Sequence, residues 1–143
     1  NVFVAGFIGS PAMNFLDVVL RKDGDVYSID AKTFKMDIPA EKAASIKNIG
    51  KYVDKEVILG IRPEDIEDAA IVGEDPRFVK MEADVDVTEP MGAEVYVYFS
   101  SGDNTFIARL DATTTAKDGM KHNVGFNMHK IHLFDKDTEE VIR

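Results

Sequence analysis

Met81-Glu82-Ala83-Asp84-Val85-Asp86-Val87-Thr88 is the stretch that decides the fold. Met81, Ala83, Val85 and Val87 alternate with Glu82, Asp84, Asp86 and Thr88, a period of two that puts apolar side chains on one face of a strand and polar ones on the other. The pattern returns downstream. Pro90-Met91-Gly92 breaks the chain, after which Val95, Val97 and Phe99 alternate with Tyr96 and Tyr98. Ser101-Gly102-Asp103-Asn104 supplies the next turn, and Phe106, Ala108 and Leu110 continue the meander. Val124–Met128, Ile131–Phe134 and Val141–Ile142 read as closing strands.

Upstream, Leu16, Val18 and Leu20 lead into Lys22-Asp23-Gly24-Asp25, whose Asp-Gly pair has hairpin chemistry. Val26, Ser28 and Asp30 then alternate with Tyr27, Ile29 and Ala31, followed by Phe34, Met36 and Ile38. Glu56–Arg62 is a strand stopped by Pro63. Glu64–Asp68 is an acidic loop or single helical turn, and Gly73-Glu74-Asp75-Pro76 is a second loop. One helix is expected from Ala40 to Ile49, opened by Pro39, carrying Ala43, Ile46 and Ile49 on one side and stopped by Gly50. At the amino end Phe3, Val4, Phe7 and Ile8 share a face of a short helix that Gly9-Ser10-Pro11 ends. Short strands punctuated every ~8–12 residues predict a mainly β fold, a small barrel or sandwich with one or two short helices.

The 143 residues suit one domain. Hydrophobic residues at 45% and charged residues at 30% fit a soluble globular chain. The absence of cysteine removes disulfides, thiolate metal sites and cysteine nucleophiles. Lys+Arg 17 against Asp+Glu 26 gives a net charge of −9, which argues against nucleic acid and anionic lipid as partners. Val2–Ile8 is too short to span a membrane, and no basic residue precedes it as a secretory signal needs. The chain starts with Asn1, and the expectation is a cytoplasmic piece of a longer protein.

No catalytic, cofactor or metal residue emerges from the motifs. G-x-x-x-x-G-K-[ST], G-x-G-x-x-G and G-x-S-x-G are all missing. His129 and His132 fall on opposite faces of a strand, and His122 stands apart, so the three read as structural rather than metal ligands. Asp84 and Asp86 lack the Gly and closing Glu of a calcium loop and read as a solvated face. Glu64, Asp65, Glu67 and Asp68 read as a solvated acidic loop or a partner-docking surface. Arg62, two residues before Glu64, is expected in a structural bidentate pair.

Four segments in this order resemble one family. Phe3-Val4-Ala5-Gly6-Phe7-Ile8-Gly9-Ser10-Pro11-Ala12-Met13-Asn14 is similar to the junction that closes the nucleotide-binding domain of maltose-type sugar-importing ABC ATPases. Leu59-Gly60-Ile61-Arg62-Pro63-Glu64-Asp65 resembles their LGIRPE strand. Val87–Val97 resembles a hairpin of theirs, and Lys130-Ile131-His132-Leu133-Phe134-Asp135 with Thr138 and Ile142 resembles their closing segment. Glu139 stands where the family usually has Gly, and Pro90 where Leu is common.

The resemblance implies residues 1–14 as the end of a nucleotide-binding domain and 15–143 as its carboxy-terminal regulatory domain, an OB-type barrel also called TOBE. The ATPase motifs, with their ATP and Mg, would lie upstream, so this piece is not itself an enzyme. The intact protein would form a homodimer at the inner face of the cell membrane and drive a sugar permease. In some members the regulatory domain also receives regulatory proteins. A second reading, from related barrels in molybdate- and sulfate-type importers, is an oxyanion-binding module, with Thr113-Thr114-Thr115 and Lys117 as its candidate loop.

Overall fold

The computed structural model describes residues 12–143. The short helix expected around Phe3–Ile8 lies outside the described residues. Ten strands and two short helices follow in order: β1 (Asn14–Asp23), β2 (Val26–Asp30), β3 (Lys35–Asp37), α1 (Ala40–Ala44), β4 (Glu56–Ile61), β5 (Ile66–Asp68), α2 (Ala69–Val72), β6 (Phe78–Pro90), β7 (Glu94–Ser101), β8 (Asn104–Asp111), β9 (Lys121–Asn127) and β10 (His132–Asp135). They form two five-stranded antiparallel sheets, β10-β4-β1-β2-β3 and β5-β9-β6-β7-β8. The second sheet curls until β8 lies alongside β5, so its ends approach as in a small barrel.

Alternation explains why these strands form. Leu16, Val18 and Leu20 of β1 point into one core with Leu59 of β4 and Leu133 of β10. Phe99 and Phe106 stack across β7 and β8 at 5.1 Å, and Phe126 meets Phe106 edge-on at 5.2 Å. Each such buried side chain stabilises the fold by roughly 1.5–3 kcal/mol over leaving it in water. The β1–β2 turn has the expected chemistry, with Gly24 at φ 60°.

Two side-chain amides complete the contact between the sheets. Only the second half of β1 pairs with β2, so its first residues would present an open edge to β8. Asn14 donates its amide to the Ile107 carbonyl at 2.9 Å and accepts from the Ile107 N–H at 2.8 Å. Asn104 reciprocates on Asp17, accepting from its N–H at 3.2 Å and donating to its carbonyl at 3.3 Å. Each amide imitates one rung of a ladder that the backbones do not make.

The structure departs from expectation at three elements. The helix expected over Ala40–Ile49 stops at Ala44, where the Ser45 hydroxyl bonds the Lys42 carbonyl at 2.6 Å. Ile49–Tyr52 is a separate 3-10 turn that contains Gly50 instead of stopping at it. Ala43, Ile46 and Ile49 are nevertheless all buried. In β6 the register slips between Val85 and Val87, and this bulge turns Val87 from the core face outward, leaving it 50% exposed. Val141 contributes a single bridge to Phe134 rather than a strand.

Glu139 turns the chain after β10 at φ 61°, where a side chain is strained and glycine is not. Its N–H bonds the Asp135 carbonyl at 2.8 Å, which holds the turn in place. Glu139→Gly is therefore expected to stabilise the protein by about 0.5–1 kcal/mol, strain relief of ~1–2 kcal/mol being offset by the entropy glycine adds to the unfolded chain. A thermal melt that rises checks it; an unchanged or lower melt rejects the strain argument.

Candidate functional site

The acidic run Glu64–Asp68 is not a solvated loop throughout. Pro63–Asp65 forms a 3-10 turn and Ile66–Asp68 is strand β5, paired to β9. Glu64 stays exposed, while burial pushes the Asp65 and Glu67 carboxyls up. Asp68 is only 6% exposed. One of its oxygens accepts the Ala70 N–H at 3.3 Å and caps α2. The other accepts the Thr114 hydroxyl at 2.6 Å and His122 Nε2 at 3.0 Å. Burial raises the Asp68 pKa, but these hydrogen bonds outweigh it and hold the carboxyl below its usual range.

Asp, His and Thr together invite a comparison with nucleophile relays. In a relay the imidazole stands between hydroxyl and carboxylate, taking a proton from one while the other orients it. Here the carboxylate stands in the middle: Thr114 and His122 both give their bonds to the same Asp68 oxygen, and are 3.5 Å from each other. The Thr114 proton is already committed to a carboxylate, so the group anchors a loop and activates no nucleophile. Thr114 also accepts the Ala116 N–H at 3.2 Å, fixing the connection from β8 to β9 on β5. The same geometry weighs against an oxyanion at Thr113–Thr115, because the anion would meet Asp68 where it needs a donor. Thr113 is likewise occupied, its hydroxyl donating to Asp111 at 2.7 Å.

The other singled-out residues are scattered. His129 pairs with Glu41 at 2.9 Å, far from His122. His132 lies on β10, its pKa lowered by burial and by the charges of Lys42 and Arg62. Among the described residues no group of three or more His, Asp or Glu is arranged to hold a metal ion. Arg62 corrects its expectation: it is exposed, and no ion pair among the described residues involves it. Its carbonyl instead accepts the Asp65 N–H at 2.9 Å, closing the turn that Pro63 starts. Asp84 pairs with Lys121 at 3.0 Å, and Asp86, in the β6 bulge, accepts the Ser100 hydroxyl at 3.0 Å. No helix among the described residues is long and apolar enough to cross a membrane.

One open cleft of about 570 Å³ lies beside the chain's last residues, lined by Asn48, Lys51, Tyr52 and Glu140–Arg143. Its polar groups are partly spent within the fold. The Asn48 amide donates to the Arg143 carbonyl at 2.8 Å, and the Tyr52 hydroxyl donates to Asp135 at 2.7 Å.

The chain is 43% identical over 143 residues to the oligosaccharides import ATP-binding protein MsmX of Bacillus subtilis (strain 168), covering 100% of this chain and 38% of that protein. It is 42% identical to the multiple sugar-binding transport ATP-binding protein MsmK of Streptococcus mutans, covering 100% of this chain and 37% of that protein. To the trehalose/maltose import ATP-binding protein MalK of Thermococcus litoralis it is 39% identical, covering 99% and 37%. The chain thus spans little more than a third of the length of these relatives. A solved structure of the cytoplasmic molybdate-binding protein ModG superposes with a TM-score of 0.55 over 89% of this chain and 97% of that chain, and at 13% identity this is a likeness of fold alone.

Two family profiles cover the chain in turn and overlap at residues 59–66. Residues 9–66 match the MalK OB fold domain, which takes in β1 to β4 of the first sheet, and residues 59–134 match the TOBE domain, which takes in the whole second sheet together with the end of β4 and most of β10. The mainly β, OB-type expectation is the fold observed, and the chain belongs to the TOBE domain family, with a MalK-type OB fold domain as its amino-terminal part.

Proposed function

We propose that this chain is the carboxy-terminal regulatory domain of the ATP-binding subunit of a sugar importer. One observation carries the reading: relatives named for oligosaccharide, multiple-sugar and trehalose/maltose import match it over 99–100% of its length. The upstream nucleotide-binding domain ends at about residue 14, where β1 of the regulatory domain begins. ATP and Mg bind in the upstream part, where the phosphate loop lies. The intact subunit is a homodimer at the inner face of the cell membrane, turning ATP hydrolysis into solute uptake through its permease. The regulatory domain contributes a dimer contact and receives regulatory proteins.

The test pairs the chain with the protein that contains it. In calorimetry the 143-residue chain is expected to show no heat with Mg-ATP or molybdate. The intact subunit, reconstituted with its permease and sugar-binding protein, is expected to hydrolyse ATP faster when maltodextrin or trehalose is added. Micromolar binding of molybdate by the chain, or stimulation of the intact subunit by molybdate and not by sugars, would overturn the reading in favour of an oxyanion importer.

A further inference from the structure

The bulge in β6 has a chemical consequence on the outer face of the second sheet. Without it Val87 would continue the buried row of Met81, Ala83 and Val85. With it Val87 stands opposite Tyr98, and Tyr98 stands opposite Ile107, so an apolar row crosses three strands on the outside of the molecule. The next row is Glu89, Tyr96 and Arg109, and Met91, 54% exposed, lies at the hairpin end. Tyr96, Tyr98 and Ile107 are half-buried, whereas Val87 is half open to solvent. Bulges that re-aim a side chain recur beside functional sites.

The charge around this row is one-sided. Asp84, Asp86, Glu89 and Glu94 face outward on β6 and β7, against Lys121 and Arg109. Lys121 is taken by Asp84 at 3.0 Å and Arg109 by Glu94 at 3.1 Å. That leaves Asp86 and Glu89 with no cation paired to them among the described residues, on either side of Val87.

We propose that the outer face of β6, β7 and β8, an apolar Val87–Tyr98–Ile107 row flanked by Asp86 and Glu89, docks a protein segment that carries lysine or arginine around an apolar side chain. The tyrosine rings suit such a partner twice over, since an aromatic face accepts both an aliphatic anchor and a cation. A second copy of this chain is the wrong occupant. A two-fold contact through the same face would press together two surfaces that each carry more carboxylates than cations, with Lys121 and Arg109 already paired within each protomer. The proposal rests on the regulatory reading only in expecting a protein partner; the face and the partner's chemistry stand on the bulge and the charges.

The test uses the 143-residue chain and three synthetic ten-residue peptides: alternating Lys and Leu, alternating Glu and Leu, and alternating Lys and Ser. In NMR titrations the Lys/Leu peptide is expected to shift the resonances of Val87, Tyr96, Tyr98 and Ile107 before any others, and the Glu/Leu peptide to shift none. The Lys/Ser peptide is expected to bind at least tenfold more weakly, because it lacks the apolar anchor. V87S, on an exposed position, is expected to weaken Lys/Leu binding about tenfold with its melt unchanged, and E89K more than tenfold. Lys/Leu binding that V87S leaves untouched, or that Lys/Ser equals, is adsorption to a chain of charge −9 and overturns the proposal. If V87S instead abolishes a wild-type dimer in sedimentation, the face belongs to a second copy and the proposal also fails. Both outcomes are independent of the sugar and molybdate experiment.

Discussion

Asn14→Ala is expected to lower stability by about 3 kcal/mol, far more than an ordinary surface change. Asn14 is 5% exposed and meets both polar groups of Ile107, at 2.9 and 2.8 Å. Alanine removes one donor and one acceptor but leaves the Ile107 N–H and carbonyl in a place water enters poorly. A buried backbone group without a partner costs ~1–3 kcal/mol, and here there are two. Asn104→Ala, which breaks the reciprocal pair on Asp17, is expected to cost less, because those bonds are longer, at 3.2 and 3.3 Å, and are exposed. Chemical denaturation gives the difference, and hydrogen exchange locates it. The Ile107 amide should exchange much faster in Asn14→Ala while amides of β6 paired to β9 keep their protection. Equal losses in both variants would mean that the two amides do not close the sheets as described.

What could be read from the sequence was what neighbours along the chain decide. β1, β7 and β8 announce themselves because a half-buried strand must alternate, and Gly24 and Gly102 sit where a turn needs positive φ. Nothing in Asp84-Val85-Asp86-Val87 marks a bulge; the slip is decided by how β6 fits β7 and by the bonds Val85 makes to Gly119 and Met120. The end of the helix that starts at Ala40 is not legible, because Ile46 and Ile49 fit helical spacing equally well when they lie in the turns that follow it. Arg62 looked like half of an ion pair because Glu64 is near in sequence, but Pro63 directs the chain into a turn and the two side chains do not meet. Asn14 gave no signal at all, its partner being 93 residues away. The departure of Glu139 from the family's usual Gly was legible, and its φ of 61° gives that departure a physical meaning.

Asp68 is the strongest instance of the same limit, and its replacement is the second large effect expected. In sequence it closes an acidic run that looks solvated; in the fold it accepts from Thr114 and His122, 46 and 54 residues away. Asp68→Ala leaves the half-buried Thr114 hydroxyl and His122 Nε2 without their acceptor and uncaps α2. Hydrogen bonds to a buried carboxylate contribute ~1.5–3 kcal/mol, and the groups left behind add their desolvation, so a loss of about 3–4 kcal/mol is expected. The pH dependence follows from the sign of the shift. Because the folded-state pKa of Asp68 lies below its unfolded value, the stabilisation is complete above pH ~4, where both states are ionised, and drains away as pH falls through the folded pKa. Asp111 and Asp135, held down by bonds from Thr113 and from Thr138 and Tyr52, act in the same direction, while Asp65 and Glu67, raised by burial, act against it. Stability of the wild type should therefore fall steeply below pH 4, and Asp68→Asn, which keeps the shape but not the charge, should be weaker at pH 7 and converge on the wild type in acid. Parallel curves for the two proteins from pH 7 to pH 3 would show that the charge on Asp68 does not hold the β8–β9 connection to β5.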